Sequence, residues 1–329
     1  MNMKKKNPII SFFTSREGIL AIFVVLFFVV LTATSNLGSD MYSFLKDISY
    51  MIVGGLALML VIMLGEIDIS SGTVLGLIGF FTGNLLKMGV PIPIVVLVAM
   101  AVGIVNSAVI GFINVKFKVP SMVVSLAMVK LHIGIFPLLP NAGWVSNIPK
   151  EITAIGNTRI AGVVPAILIF SLIILVFFIW FMKYTRFGKK IYAVGGSKDS
   201  AKLAGVNTNK VVFKTFLLSG ALLGITSIMY WLPASQVQPS GTNGLEMYFI
   251  PIAVVSGVSI LGGTGRPIGI LVSAVLIAML QRACILWGLG NSWLYLTYGV
   301  VVLVAVYSSV TEFSSIFGKK AKEYKGGAE

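Results

Sequence analysis

Long runs of apolar residues, separated by short polar or glycine- and proline-containing breaks, fill most of this chain. A helix needs about 20 mostly apolar residues to cross the hydrocarbon core of a bilayer, and these runs have about that length. The pattern therefore predicts an all-α, polytopic integral membrane protein. The ten predicted spans cover residues 18–34, 46–64, 71–87, 91–113, 120–138, 162–182, 211–231, 247–262, 267–287 and 292–310.

The third and eighth of these spans, 71–87 and 247–262, are short and rich in glycine. A helix that breaks inside the membrane leaves backbone N–H and C=O groups unpaired, which is tolerated only where protein or a water-filled cavity covers them. Two alternatives therefore stay open for both segments, a complete span and a partly re-entrant one.

Lysine and arginine residues are concentrated in the connections that become cytoplasmic if the N-terminus is cytoplasmic, as positively charged loops usually are. The connection 183–210 carries seven basic residues, whereas 35–45 and 232–246 carry none. An even number of spans places both basic ends of the chain inside the cell. The predicted parts are a cytoplasmic segment 1–17, a single transmembrane domain 18–310 and a cytoplasmic tail 311–329, in the plasma or inner membrane.

Composition agrees with this class, because 57% of the residues are hydrophobic and 11% are charged, against roughly 25% charged in soluble domains. The net charge of +14 is explained by basic cytoplasmic loops, so no nucleic-acid partner is expected. Cys284 is the only cysteine and His132 the only histidine, which excludes an internal disulfide, a cysteine cluster and a histidine-rich metal site. No G-x-x-x-x-G-K-[S/T] phosphate loop occurs. We expect no enzymatic activity, no metal and no cofactor in this chain.

The cytoplasmic connection 183–210 is too long for a tight turn and too apolar for a solvated linker. Ser197 is placed to cap a short helix whose first turn holds Asp199, and Gly205 suits the left-handed position that ends a helix. This helix should present Ala201, Leu203 and Ala204 between basic residues. A short amphipathic helix on the cytoplasmic side needs a partner surface or lipid headgroups, and it could act as a rigid lever for a motor domain.

Residues 188–205 read G-K-K-I-Y-A-V-G-G-S-K-D-S-A-K-L-A-G. This stretch resembles the coupling loop of permeases from carbohydrate ABC importers of the ribose, xylose and galactose type, in the branched-chain permease superfamily. Two further stretches, 65–73 and 244–269, resemble other motifs of that family and occur in its order. The matching positions include Asp68, Gly188, Tyr192, Gly195, Gly196, Ala201, Leu203, Gly205, Gly262, Gly263 and Gly265, whereas Glu66, Ile133, Ser197, Ser200 and Ser256 depart from the family pattern.

The resemblance implies a type II-like ABC importer permease that works with a second, identical or homologous, permease. Cytoplasmic ABC ATPase subunits would bind the ATP and engage residues 183–210, and an extracellular or periplasmic solute-binding protein would deliver the solute. A monosaccharide or a related small polar solute is the implied cargo, and the 244–247 run is also similar to permeases for a furanosyl autoinducer. Nucleosides, branched-chain amino acids and an ion-gradient-driven secondary transporter remain alternatives.

A carboxylate deep in a bilayer costs ~2.5–3.5 kcal/mol on insertion scales, so the presence of Asp68 requires an explanation. Two interpretations of this residue are open. It could bind a proton or a cation, as in secondary transporters. It could instead cap the next helix by accepting hydrogen bonds from amides near Ser70 and Ser71, and we favour this interpretation. For Gly262, Gly263 and Gly265, close helix packing or a sharp re-entry of the chain is the expected role.

Ionisable and aromatic residues within or near the predicted spans are candidates for the solute pathway. Ionisable side chains inside a membrane usually face a cavity or a partner, and sugars favour aromatic faces with scattered amide and hydroxyl groups. A residue near the end of a span can instead reach out to the interface, as Arg282 could, and Trp231 could belong to an interfacial belt. The pathway candidates are Lys130, His132, Trp231 and Arg282, with Asn84, Asn106 and Ser227 as further polar residues.

Overall fold

The computed structural model describes residues 16–34, 41–290, 292–303 and 307, so the predicted tail 311–329 and most of the segment 1–17 lie outside the described residues. The described part is almost entirely helical, which confirms the all-α class. Its helices are α1 (Arg16–Thr34), α2 (Met41–Ile62), α3 (Ser71–Lys87), α4 (Ile92–Phe117), α5 (Ser121–Ile135), α6 (Lys150–Gly156), α7 (Ala166–Tyr184), α8 (Arg186–Gly196), α9 (Lys198–Leu203), α10 (Thr208–Trp231), α11 (Glu246–Val255), α12 (Pro267–Leu286) and α13 (Ser292–Leu303).

Six of the described helices are long and apolar enough to cross a membrane: α2, α4, α5 with the 3₁₀ turn that follows it, α7, α10 and α12. Helix α3 has 17 residues and coincides with the predicted third span. Helix α11 has ten residues and ends at Val255, because Gly257 turns the chain with a φ of 95°. A complete span to residue 262 is therefore wrong, and the alternative of a broken span agrees with the structure. The polytopic membrane class is confirmed, and the total of ten spans stays a prediction.

Helix α2 lies at the centre of the described structure. Every residue from Ile48 to Ile62 is buried, and α7, α10, α11 and α12 all pack against it. A helix that is hydrophobic on all sides belongs inside a bundle, because it has no polar face to present. The sequence pattern of α2 therefore places it in the core, where it supports the loop that follows Ile62.

Helices α4 and α10 cross with their backbones in close contact. A Cβ atom added to Gly103 would overlap the carbonyl oxygen of Gly220, and one added to Gly224 would lie 2.5 Å from the carbonyl oxygen of Ala99. Small residues allow such an approach, and van der Waals contact of this kind drives helix association where no water is available to be displaced. The crossing fixes α4 beside α10 over most of the length of α4.

Short structured segments close the end of the bundle opposite α8 and α9. Strands β1 (Arg159–Ile160) and β2 (Val164–Pro165) form an antiparallel ribbon. The Val145 amide donates to the Val237 carbonyl oxygen at 3.0 Å, and the reverse bond is 2.8 Å. These bonds join the connection before α7 to the connection before α11, so this end of the bundle is ordered rather than made of minimal hairpins.

Replacing Gly103 by alanine should destabilise the folded protein by about 1–3 kcal/mol, because the new methyl group overpacks a backbone contact. The matched control is Gly134→Ala on α5, where no atom lies within 4 Å of the added Cβ. That change should leave stability equal or raise it by about 0.5–1 kcal/mol. The thermal midpoint of the detergent-purified protein measures both effects, and equal midpoints for the two variants would contradict the proposed packing.

Candidate functional site

The connection 183–210 folds into two short helices at the end of α7. The hydroxyl of Thr185 caps α8 by accepting a hydrogen bond from the Gly188 amide at 3.0 Å. The hydroxyl of Ser197 caps α9 by accepting one from the Ser200 amide at 3.2 Å, and Gly205 has the left-handed φ of 77°. The predicted caps of α9 are confirmed. Helix α8 was not predicted, although Thr185 before an amphipathic segment is a typical start signal.

The two apolar residues of α9 point in different directions. Ala201 is buried, whereas 90% of the Leu203 side chain is exposed. The prediction that both residues share a presented face is therefore wrong, since Ala201 packs inward against the bundle. Leu203 and Ala204 stay on the surface. The apolar Leu203 side chain therefore makes few contacts with the rest of its chain, and basic residues lie near it in the sequence.

The three stretches that carry the family resemblance meet at one place, around the carbonyl oxygen of Met63. This oxygen accepts a hydrogen bond from the Gly263 amide at 2.9 Å. A Cβ atom added to Gly195 of α8 would overlap the same oxygen, and one added to Gly263 would lie 2.6 Å from the Cα atom of Gly196. Gly262 lies beside Gly195 in the same contact. Glycine is needed here because three backbones occupy the space that side chains would take.

Tyr192 adds a polar link between α8 and the loop that precedes α12. Its hydroxyl donates to the carbonyl oxygen of Gly265 at 2.6 Å. Burial raises the pKa of the Tyr192 hydroxyl, and the nearby Arg266 guanidinium opposes this rise. The phenol consequently keeps its proton at neutral pH and stays a donor. Gly265 has a φ of 149°, a conformation that glycine adopts without strain.

Glu66, a departure from the family pattern, binds α9 to the loop 63–70. Its carboxylate pairs with the Lys198 ammonium at 2.8 Å and accepts a hydrogen bond from the Asn114 amide of α4 at 3.1 Å. The Lys198 side chain is half exposed, so the pair contributes little net stability but sets the position of α9. Sequence reasoning missed this pair, because the two residues are 132 positions apart.

The loop 63–70 is also held by α5 and by its own aspartate. The Ser121 and Ser125 hydroxyls accept hydrogen bonds from the Ile67 and Ile69 amides at 3.0 and 3.1 Å. Asp68 is fully buried, and its Oδ1 accepts bonds from the Ser70 amide at 2.9 Å and the Ser70 hydroxyl at 2.7 Å. Burial raises the pKa of the Asp68 carboxyl to about 6, although both bonds from Ser70 oppose the rise. The expected bond from the Ser70 amide is present.

The chain matches a known protein family. The family model for the permease component of the branched-chain amino acid transport system matches residues 41–306. The chain belongs to this permease family. The match contains all three stretches that meet at Met63. Within the described residues, no group of three or more His, Cys, Asp or Glu side chains is placed to hold a metal ion.

Curated relatives of the permease include components of two kinds of import system. The ribose import permease protein RbsC of Escherichia coli (strain K12) is 29% identical over 290 residues, which are 86% of this chain and 90% of the relative. RbsC of Haemophilus influenzae is 28% identical over 289 residues, or 84% and 89% of the two chains. The autoinducer 2 import system permease protein LsrC of Escherichia coli (strain K12 / DH10B) is 28% identical over 250 residues, or 75% and 72%. No solved structure matches the permease.

The four pathway candidates of the permease do not form one site. His132 is buried on α5, with its Nδ1 atom 2.9 Å from the Thr73 hydroxyl. Lys130 is exposed on the same helix. Trp231 is buried at the far end of α10 and donates to the Leu75 carbonyl oxygen at 3.1 Å. Their roles in transport stay predictions.

Arg282 does not extend alone toward the membrane surface. It pairs with Asp47 at 2.5 Å, and both side chains are mostly buried. Asp47 and Trp231 border the same cleft of about 230 Å³, together with Tyr50 and Tyr230. Two of the four candidates are thereby brought to one end of the bundle. The pairing could not be read from the sequence, because the partners lie 235 residues apart.

Replacing Gly195 by alanine should detach α8 from the permease core, because the new Cβ overlaps the backbone carbonyl of Met63. We expect trypsin to cleave at the lysines of α8 and α9 at least about tenfold faster in this variant, since local opening exposes the chain. Gly196→Ala is the matched control, with no atom within 4 Å of its added Cβ. Its cleavage rate should equal that of the wild type, and equal rates for both variants would refute the contact.

Proposed function

We propose that this chain is the transmembrane permease subunit of an ABC importer that moves a monosaccharide or a related small polar solute into the cell. The names of its relatives, import permeases for ribose and for autoinducer 2, support this cargo. The observation that carries the proposal is the position of α8 and α9. They present Leu203 to the exterior of the fold while their base is fixed to the loops before α3 and α12.

Leu203 is the proposed contact for a cytoplasmic ATPase subunit. Its side chain is 90% exposed, and burying that apolar surface in a partner's pocket would be favourable because it leaves water. ATP binding and release in the ATPase would move α9, and the Glu66–Lys198 pair and the Gly195 contact would pass the movement to the membrane helices. Such rigid-body movement switches a transporter between outward-open and inward-open states without any bond chemistry in the permease.

Helix α5 is the proposed contact with a second permease copy and with the solute pathway. Much of its surface is exposed, and the exposed side chains include Met122, Val123, Leu126 and Leu131. Lys130 lies on this helix and is exposed too. A lysine facing hydrocarbon near the middle of a span is costly, which supports a protein or aqueous surface here rather than lipid. Both termini are proposed to be cytoplasmic, on the same side as α9.

Replacing Leu203 by aspartate should abolish capture of the ATPase by the tagged permease from native membranes, because a charged group cannot fill an apolar pocket. Uptake of radiolabelled ribose by cells that depend on this permease should fall at least about 30-fold, the size expected for a lost anchor worth about 2 kcal/mol. Mass spectrometry of the captured proteins and initial uptake rates measure the two effects.

The control for this experiment is Val163→Asp. Val163 is also an exposed apolar residue, but it lies at the opposite end of α7 from α8. This variant should keep ATPase capture. If the wild type captures no ATPase, and the purified permease moves solute in liposomes with a sodium or proton gradient alone, the importer proposal is wrong. Loss of capture in both variants would assign the effect to misfolding rather than to Leu203.

A further inference from the structure

Four buried oxygen atoms near the start of α3 have no hydrogen-bond partner among the described residues. They are Oδ2 of Asp68, Oγ of Ser71, Oδ1 of Asn106 and Oγ of Ser107. The side chains of Asp68, Ser71 and Ser107 are fully buried, and Asn106 is 5% exposed. Buried polar atoms are nearly always paired in native proteins, so each exception needs an explanation. Three of these atoms, on Asp68, Ser71 and Asn106, belong to neighbouring residues and point to one cause, whereas the Ser107 Oγ lies beside Gly220 of α10.

A single hydroxyl group links the two principal members of this cluster. Ser70 donates its hydroxyl to Oδ1 of Asp68 at 2.7 Å, and the same hydroxyl oxygen accepts a bond from Nδ2 of Asn106 at 3.2 Å. These bonds use one atom of the carboxylate and one of the carboxamide. Oδ2 of Asp68 and Oδ1 of Asn106 remain unpaired among the described residues. Ser71 follows Ser70 along the chain and adds a hydroxyl oxygen.

The charge of Asp68 distinguishes a cation from a water molecule. No Lys, Arg or His side chain bonds to Asp68 among the described residues, whereas its neighbour Glu66 pairs with Lys198. Glu246, the nearest other buried acid, already accepts a hydrogen bond from the Gly244 amide at 3.2 Å and sits in the first turn of α11, whose amides favour negative charge. A water molecule could satisfy the unpaired atoms, but it would leave the Asp68 charge uncompensated in a dry environment.

We propose that Asp68 and Asn106, with Ser71, bind one small monovalent cation of the sodium class. The three available donors are all oxygen atoms, which suit hard cations, and one carboxylate balances one positive charge. A proton on Asp68 could link Oδ2 to Asn106, but it would leave the Ser71 oxygen without an explanation. The site adjoins the loop 63–70, so the bound cation would hold the start of α3 against α4 beside the contact with α8.

The test is sodium-dependent thermal stability of the purified full chain at about pH 8, where a carboxyl of ordinary or moderately raised pKa has lost its proton. Sodium chloride at about 150 mM should raise the Tm of the wild type by about 3–6 °C over choline chloride at equal ionic strength. Asp68→Asn and Asn106→Ala should each lose this increment, whatever their absolute Tm. Radioactive sodium should bind to the wild type at one ion per chain and be displaced by unlabelled sodium.

The control is Ser273→Ala on α12, a buried serine whose hydroxyl already donates to the Gly269 carbonyl oxygen at 3.0 Å. It should keep the full sodium increment. The proposal is overturned if sodium and choline give the same Tm, if Asp68→Asn keeps the increment, or if Tm responds to pH and not to sodium. A larger increment with calcium than with sodium would also overturn it. None of these measurements uses transport or the ATPase, so they succeed or fail independently of the proposed importer function.

Discussion

The end of this permease that carries α8 and α9 depends on one backbone oxygen, the carbonyl of Met63. It accepts a hydrogen bond from the Gly263 amide. Gly195 lies against the same oxygen so closely that no side chain fits between them. A contact between backbones cannot yield as a flexible side chain can. Movement of α8 would therefore displace both the loop that leads into α3 and the loop that leads into α12. This contact gives the exposed α9 a mechanical connection to the membrane helices.

The same constraint operates throughout the bundle. Helices inside a membrane gain nothing from expelling water, so they associate through close contact and through hydrogen bonds that satisfy every polar group. Gly103 and Gly220 let α4 and α10 approach each other. The Ser121 and Ser125 hydroxyls accept hydrogen bonds from two amides of the loop 63–70, which lie outside any helix. Small and hydroxyl-bearing residues therefore stand where backbones meet, whereas large apolar residues fill the core around α2 and also cover the exposed helix faces.

Charged residues in the described part are compensated in specific ways. Glu66 departs from the family pattern, and Lys198 of α9 neutralises it. Asp47 and Arg282 neutralise each other at the end of the bundle opposite α8 and α9. Asp68 differs from these acids, because its one bonded oxygen serves the turn before α3 while the other has no partner among the described residues. The bonds within the turn at Ser70 therefore involve only one of the two oxygens of this carboxylate, and they do not cap α3, whose first residue is Ser71.

The sequence by itself determined the membrane class and the features that depend on neighbouring residues. Span 71–87 agreed with α3, because polar residues mark both of its ends. The Ser197 cap and the Gly205 turn were also predictable, since the bonds of a cap join residues only three apart. The family motifs were readable for the same reason, as each is a local pattern in the chain.

The tertiary structure alone decided which of these local features meet. The end of α11 at Val255, the inward direction of Ala201 and the meeting of Met63, Gly195 and Gly263 follow from how the helices pack. The pair Glu66–Lys198 joins residues 132 positions apart. Hydrophobic periodicity reports that a face is apolar but not which helix covers it. In a chain with so many apolar helices, only the packed structure selects the partners.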